Sequence, residues 1–129
     1  MSALYSEVIL DHFRNPRNCG SLRAADISHE DVNPLCGDRI RIEVRLRDGV
    51  IEAARFRGDG CAISIAAASL LTELIVGADI AHDEVISGEE LISSLGSDIK
   101  PSRMKCALLP LEVLRSGIDI YKKRVSADR

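Results

Sequence analysis

Three cysteines, Cys36, Cys61 and Cys106, sit far apart in a chain of 129 residues, and the neighbours of each fit a metal site better than a packed core. Cys36 lies in Asn33-Pro34-Leu35-Cys36-Gly37-Asp38, Cys61 in Gly58-Asp59-Gly60-Cys61-Ala62-Ile63-Ser64, and Cys106 in Arg103-Met104-Lys105-Cys106-Ala107. Each context reads as a turn or a helix start, where backbone N–H groups and the helix dipole favour thiolate over thiol. With the carboxylate of Asp38, the three sulfurs make a set of four ligands. Thiolates select zinc, copper(I) or iron–sulfur chemistry, and one oxygen ligand makes such a set easier to open. The competing account is that each cysteine is a small buried hydrophobe, but a buried structural cysteine has no need of flanking glycines. Intervals of 24 and 44 residues match no zinc-finger spacing, so the fold, not a local knuckle, has to gather the ligands.

Periodicity indicates the elements that must do the gathering. Leu4, Tyr5, Val8, Ile9 and Phe13 fall close to helical period, which predicts a short amphipathic helix over Leu4 to Phe13, stopped at Asn15-Pro16. His12 lies on its packing face and reads as a partly buried histidine with a local hydrogen bond. Ile40, Ile42, Val44 and Leu46 alternate with Arg39, Arg41, Glu43, Arg45 and Arg47, a period of two with one apolar face. Asp48-Gly49 supplies a tight turn, and a return strand runs from Val50 to Arg57 with Val50, Ala54 and Phe56 on one side. A third strand is expected between Ala24 and Asn33. Six arginines from Arg39 to Arg57 make the polar face basic. It reads as a solvated sheet face with cross-strand charges, Glu43 and Glu52 among them. If that face binds anything, an acidic protein partner suits it better than nucleic acid, because no aromatics are interleaved.

From Cys61 onward the period changes. Ala62 to Val76 is apolar nearly all round and ends at Gly77, which predicts a buried central helix. Ser87 and Glu90 have capping-box spacing, with Gly96 as a stop. Pro101 suits a first helical position and opens a last helix to about Val125, with Pro110 expected to kink it or delay its regular start. Strands early and helices late give an α+β domain, a small three-stranded antiparallel sheet with helices packed on one face.

Composition narrows the function. At 46% hydrophobic content the chain can bury a core without disulfides, and one domain spanning residues 1–129 is expected. Aromatics are 3% with no tryptophan, and the formal charge is −3, which together tell against nucleic acid as a partner. No charged-then-apolar leader opens the chain, and no apolar run approaches the roughly 20 residues a membrane span needs. A cytoplasmic setting is expected, where thiols stay reduced, and no Cys-x-x-Cys redox motif occurs. Cys19, in Asn18-Cys19-Gly20, reads as an ordinary thiol, and His29 and His82 as surface residues.

Several segments together resemble the U-type iron–sulfur cluster assembly proteins (IscU, SufU and the N-terminal domain of NifU). They are Tyr5-Ser6-Glu7, Asp11-His12-Phe13-Arg14-Asn15-Pro16-Arg17-Asn18, Asn33-Pro34-Leu35-Cys36-Gly37-Asp38, Ala53-Ala54-Arg55-Phe56-Arg57-Gly58-Asp59-Gly60-Cys61-Ala62-Ile63-Ser64 and Arg103-Met104-Lys105-Cys106-Ala107. They occur in the family's order and near its spacing, over nearly the whole chain. The resemblance implies a SufE/NifU-like fold and a protein that accepts persulfide sulfur from a cysteine desulfurase. It also implies a scaffold for a transient [2Fe–2S] or [4Fe–4S] cluster, passed on to recipient apoproteins or carriers. Cys36, Asp38, Cys61 and Cys106 would then ligate zinc in the resting protein or iron in the cluster. Cys36 and Cys106 are the candidate persulfide acceptors, with Lys105 and Arg103 in support.

Two departures bear on subtype. IscU-like members have a histidine before the third cysteine; Lys105 stands here, as in SufU-like members, and an ammonium cannot ligate while charged. The Leu-Pro-Pro-Val-Lys segment that IscU-like members present to a chaperone is replaced by Asp98-Ile99-Lys100-Pro101-Ser102. The interval between the second and third cysteines, on the other hand, is IscU-like in length. A zinc-dependent sulfurtransferase that stimulates the desulfurase without building the cluster is therefore the alternative, and a structural zinc-binding interaction module a more remote one.

Overall fold

The computed structural model describes residues 6–35, 37–81, 85–96 and 98–127. Its elements run α1 (Glu7–Arg14), β1 (Ile27–Asn33), β2 (Asp38–Arg47), β3 (Val50–Asp59), α2 (Ala62–Leu74), α3 (Gly88–Leu95), a 3-10 turn (Pro101–Arg103) and α4 (Met104–Ala127). The three strands form one antiparallel sheet in the order β1-β2-β3, so the predicted α+β class and all three strands are present.

Alternation on β2 sets the two sides of the molecule. Ile40, Ile42 and Val44 are fully buried against α2 and α4, while Arg39 and Arg41 point away. The same parity places Asp38, the first residue of the strand, on the core side, and it is 2% exposed. At the far end Asp48 (φ 53) and Gly49 (φ 79) both take left-handed backbone, as a two-residue hairpin turn demands. Next to that turn the pairing slips by one residue: Arg45 opposes Ala53, whereas Leu46 opposes Ile51. This bulge reverses the parity of β3, so Ile51, not the expected Val50, enters the core with Ala54 and Phe56.

The outer edge of β3 is closed by two loop segments. Gly20 N–H donates to the Phe56 carbonyl (2.8 Å) and Phe56 N–H to that of Asn18 (2.9 Å), while Ile51 exchanges hydrogen bonds with Gly77 and Ala78 (2.8 Å each). Helix α2 stops at Leu74, two residues before its expected end, and Gly77 (φ 93) turns the chain back toward β3. Helix α3 has the predicted Ser87 cap, bonded to Glu90 N–H (3.1 Å), and the predicted Gly96 stop. Pro110 does not delay α4, which begins six residues earlier at Met104, after the 3-10 turn that Pro101 opens.

Among the described residues, large aliphatic and aromatic side chains such as Phe56, Leu71 and Leu111 are less than 2% exposed. No helix among the described residues is long and apolar enough to cross a membrane.

Candidate metal centre

The site forms where the N-terminal end of β2, the C-terminal end of β3 and the starts of two helices meet. Strand β3 ends at Asp59, and Gly60 passes the chain to Cys61, the N-cap of α2. Cys106 is the third residue of α4 and begins the buried stripe that continues through Leu109, Val113 and Gly117. Asp38, Cys61 and Cys106 each present one ligand atom, and these atoms all lie within 4.8 Å of one another. Two helix N-terminal ends thus bring partial positive charge to a set of donors that bind metal as anions.

The geometry fits a metal ion. Ordinary Zn–S and Zn–O bonds of about 2.3 and 2.0 Å in a tetrahedron put sulfur and oxygen about 3.5 Å apart. Cys61 Sγ stands 3.7 Å from Asp38 Oδ2. Asp38 is held for this: its Oδ1 accepts the Cys61 backbone N–H (3.1 Å), leaving Oδ2 turned to the sulfur. Gly60 is required by closeness alone, since a Cβ there would fall 2.6 Å from both Asp38 Oδ1 and Ser64 Oγ. The fourth predicted ligand, Cys36, lies outside the described residues. Asn33 accepts Leu35 N–H with its side-chain oxygen (3.1 Å) and Gly37 N–H with its carbonyl (2.7 Å).

Arg103 and Lys105 lie on the 3-10 turn and at the start of α4, near Cys106 in the chain. Lys105 is exposed and lines a cleft of about 290 Å³ with Asp31, Pro34, Leu35, Leu109 and Glu112. Leu35 at its mouth is 80% exposed. Arg103 is exposed on the 3-10 turn. Cys19 is exposed on the outer edge of β3, bridged to Phe56, and does not belong to the group of converging ligand atoms. His82 lies outside the described residues. His29 is not a surface residue: it is half-buried beside α4, where a Cβ on Gly117 would come within 3.2 Å of its own Cβ. His12 is buried as expected, but its bond crosses to another helix, Nδ1 lying 2.7 Å from Ser69 Oγ. Burial, then the nearby Arg17 charge, pushes the His12 pKa below the ordinary imidazole value.

The basic sheet face is largely neutralised from within. Arg41 pairs with Glu43 and Arg45 with Glu52 (3.0 Å each), and Arg39 and Arg47 reach Glu30 and Glu52 (3.8 and 3.7 Å). Glu43 departs from the solvated picture, being 6% exposed and bonded to Leu22 N–H (2.7 Å). Burial alone would raise its carboxyl, but Leu22 N–H and Arg41 outweigh that and hold it below the usual carboxylate range. Ser64 is the residue that sequence periodicity passes over. It contacts Cys61 twice, and the signal was its position three residues after a helix-capping cysteine, the spacing at which an N-terminal side chain meets its own cap.

The chain is 37% identical to the zinc-dependent sulfurtransferase SufU of Bacillus subtilis, covering 92% of this chain and 91% of that protein. It is 33% identical to the iron–sulfur cluster assembly scaffold protein IscU of Escherichia coli K12, covering 95% and 98%. Its fold matches the crystal structure of the protein FiSufU from Fervidobacterium islandicum AW-1, with a TM-score of 0.68, 25% identity and coverage of 88% and 96%. Residues 4–128 match the NifU-like N-terminal domain, and the chain belongs to that family.

Proposed function

We propose that this protein accepts persulfide sulfur from a cysteine desulfurase and serves as the scaffold for a transient [2Fe–2S] or [4Fe–4S] cluster. The cluster then passes to recipient apoproteins or carriers. The observation that supports the reading most is the convergence of Asp38, Cys61 and Cys106 within 4.8 Å. Cys36 completes the ligand set, and residues 1–129 work as one assembly domain in the cytoplasm.

In the sulfur transfer, an acceptor thiolate, on Cys36 or Cys106, attacks the outer sulfur of the donor persulfide. The donor S–S bond breaks, its cysteine leaves as thiolate, and the outer sulfur becomes the acceptor's persulfide, so no net oxidation occurs. Lys105 and Arg103 supply positive charge beside Cys106, where an anionic donor arrives and an anionic thiolate must persist. Electrons from a separate reductant convert the transferred sulfur to sulfide before it bridges iron, which is the cargo. Cys36, Asp38, Cys61 and Cys106 would hold zinc, which would supply Lewis-acid character and favour the thiolate forms of the cysteines. Asp38, a harder and weaker ligand than sulfur for these metals, keeps the set exchangeable.

Lys105 favours a second reading, a zinc-dependent sulfurtransferase that stimulates the desulfurase without building a cluster, because the ammonium cannot ligate iron. Purified protein mixed with a cysteine desulfurase, cysteine and reductant separates the two, first without iron and then with it under anaerobic conditions. A transferable chromophore is the expected result. Faster sulfide release with no chromophore selects the sulfurtransferase, and neither effect overturns both. Stripping the metal with a chelator should leave the chain folded; unfolding would mark a structural zinc module instead.

A further inference from the structure

We infer that Ser64 is a positioning residue for the Cys61 sulfur, its hydroxyl turning its one proton from the Cys61 carbonyl to Cys61 Sγ once that sulfur binds a metal ion. The inference rests on the metal-centre reading above. Ser64 is fully buried, its Oγ lying 3.1 Å from the Cys61 carbonyl oxygen and 3.7 Å from Cys61 Sγ. A hydroxyl has one proton and cannot give it to both acceptors. Which acceptor wins depends on the charge at sulfur.

As a thiol, Cys61 points its own proton to Asp38 Oδ2 (3.7 Å) and is a weak acceptor, so Ser64 donates to the carbonyl. As a metal-bound thiolate the sulfur has lost that proton and carries negative charge, and a charge-assisted hydrogen bond outcompetes a neutral one. Rotation about the Ser64 Cβ–Oγ bond accomplishes the change without moving a heavy atom. The carbonyl is not stranded by it, because Ile65 N–H already donates to it (3.1 Å). The Cys61 carbonyl and the Ser64 hydroxyl each keep a partner in either state, which removes the usual penalty for such an exchange. Ser69, on the same helix and equally buried, lacks this freedom: its oxygen accepts Arg17 N–H (2.8 Å) and pairs with His12 (2.7 Å).

A hydroxyl bonded to a ligating sulfur fixes its direction and draws electron density from it. Cobalt(II) titration of the metal-free full chain tests this, with Ser64→Ala and Ser64→Thr beside the wild type and melting curves for all three. For Ser64→Ala the sulfur-to-cobalt charge-transfer band should move to longer wavelength and the affinity should fall about tenfold. Ser64→Thr, which keeps the hydroxyl, should stay near wild type. The alanine comparison decides alone if the added threonine methyl lowers the melting temperature. A Ser64→Ala spectrum and affinity equal to wild type overturn the inference, as does a folded Ser64→Thr protein that behaves like Ser64→Ala. Failure of the wild type to bind cobalt would remove the metal centre and the inference together; cobalt binding indifferent to Ser64 would remove the inference alone.

Discussion

Helix α2 buries polar side chains near both ends, and the two ends treat them in opposite ways. Toward its C-terminal end, Ser69 meets Arg17 N–H and His12 Nδ1, and Thr72 Oγ1 accepts from Asn18 (3.2 Å) and donates to the Ser69 carbonyl (2.7 Å). His12 Nε2 faces Glu73 at 3.6 Å. This network is short and closed, and it fastens the N-terminal arm to the core. At the N-terminal end, Cys61 Sγ stands 3.7 Å from both Asp38 Oδ2 and Ser64 Oγ. Those contacts are long, and a second sulfur joins them from α4. A closed network fixes structure, whereas an open one holds ligand atoms ready for something that comes and goes.

The largest test of this contrast exchanges one ligand against one lock. Cys106→Ser should abolish cluster formation and impair sulfur acceptance in the desulfurase assay, because it removes one of the two candidate acceptor thiolates and a hydroxyl does not replace a thiolate toward soft metals. Ser69→Ala should leave both intact while costing about 1–3 kcal/mol in urea unfolding, since it leaves the His12 ring and Arg17 N–H without their buried partner. If Ser69→Ala silenced the site, the two ends would be one unit and the contrast would fail.

Two glycines sharpen it further. Gly60→Ala should lower cobalt affinity about tenfold with little change in unfolding midpoint, as the new methyl displaces Asp38 and Ser64. Gly117→Ala, whose Cβ would stand 2.8 Å from Ile27 Cγ2, should do the reverse, losing about 1–3 kcal/mol with unaltered cobalt binding.

The smallest effect is one of pH. His12, set among Arg17, Asp11 and Glu73, has its pKa lowered in the folded state, chiefly by burial and then by Arg17. Below its ordinary value of 6.5 the unfolded chain therefore takes up the proton first, and stability falls as pH drops through that range. Melting temperatures measured from pH 8 to pH 5.5 should show the decline, and His12→Asn should flatten it. An equal decline in both proteins would assign it elsewhere.

Much of this arrangement was legible in the chain because the signals are local. The alternation of Ile40, Ile42 and Val44 with arginines, ended by Asp48-Gly49, defines a hairpin by itself, and the Ser87 cap with its Gly96 stop defines α3. The bulge opposite Leu46 was not legible, because it depends on how the hairpin end meets the loop at Ala78. The closure of β3 by Asn18 to Gly20 leaves no side-chain period either, since only backbone atoms pair. Residue types around the cysteines indicated a metal site, but their convergence rests on three things no short window contains. These are the parity that turns Asp38 inward, the strand end that delivers Cys61 to a helix cap, and the packing of α4 that buries Cys106. Ser64 went unmarked because a serine near a helix start has an ordinary structural role, and only its contact with the sulfur distinguishes it.

The most direct test of the centre is X-ray absorption at the zinc edge of the zinc-loaded, full-length protein. A sulfur shell at about 2.3 Å with a single light-atom ligand near 2.0 Å is the predicted result, and Cys61→Ala should remove one sulfur from it. A shell without sulfur, or one that Cys61→Ala leaves unchanged, would contradict the account.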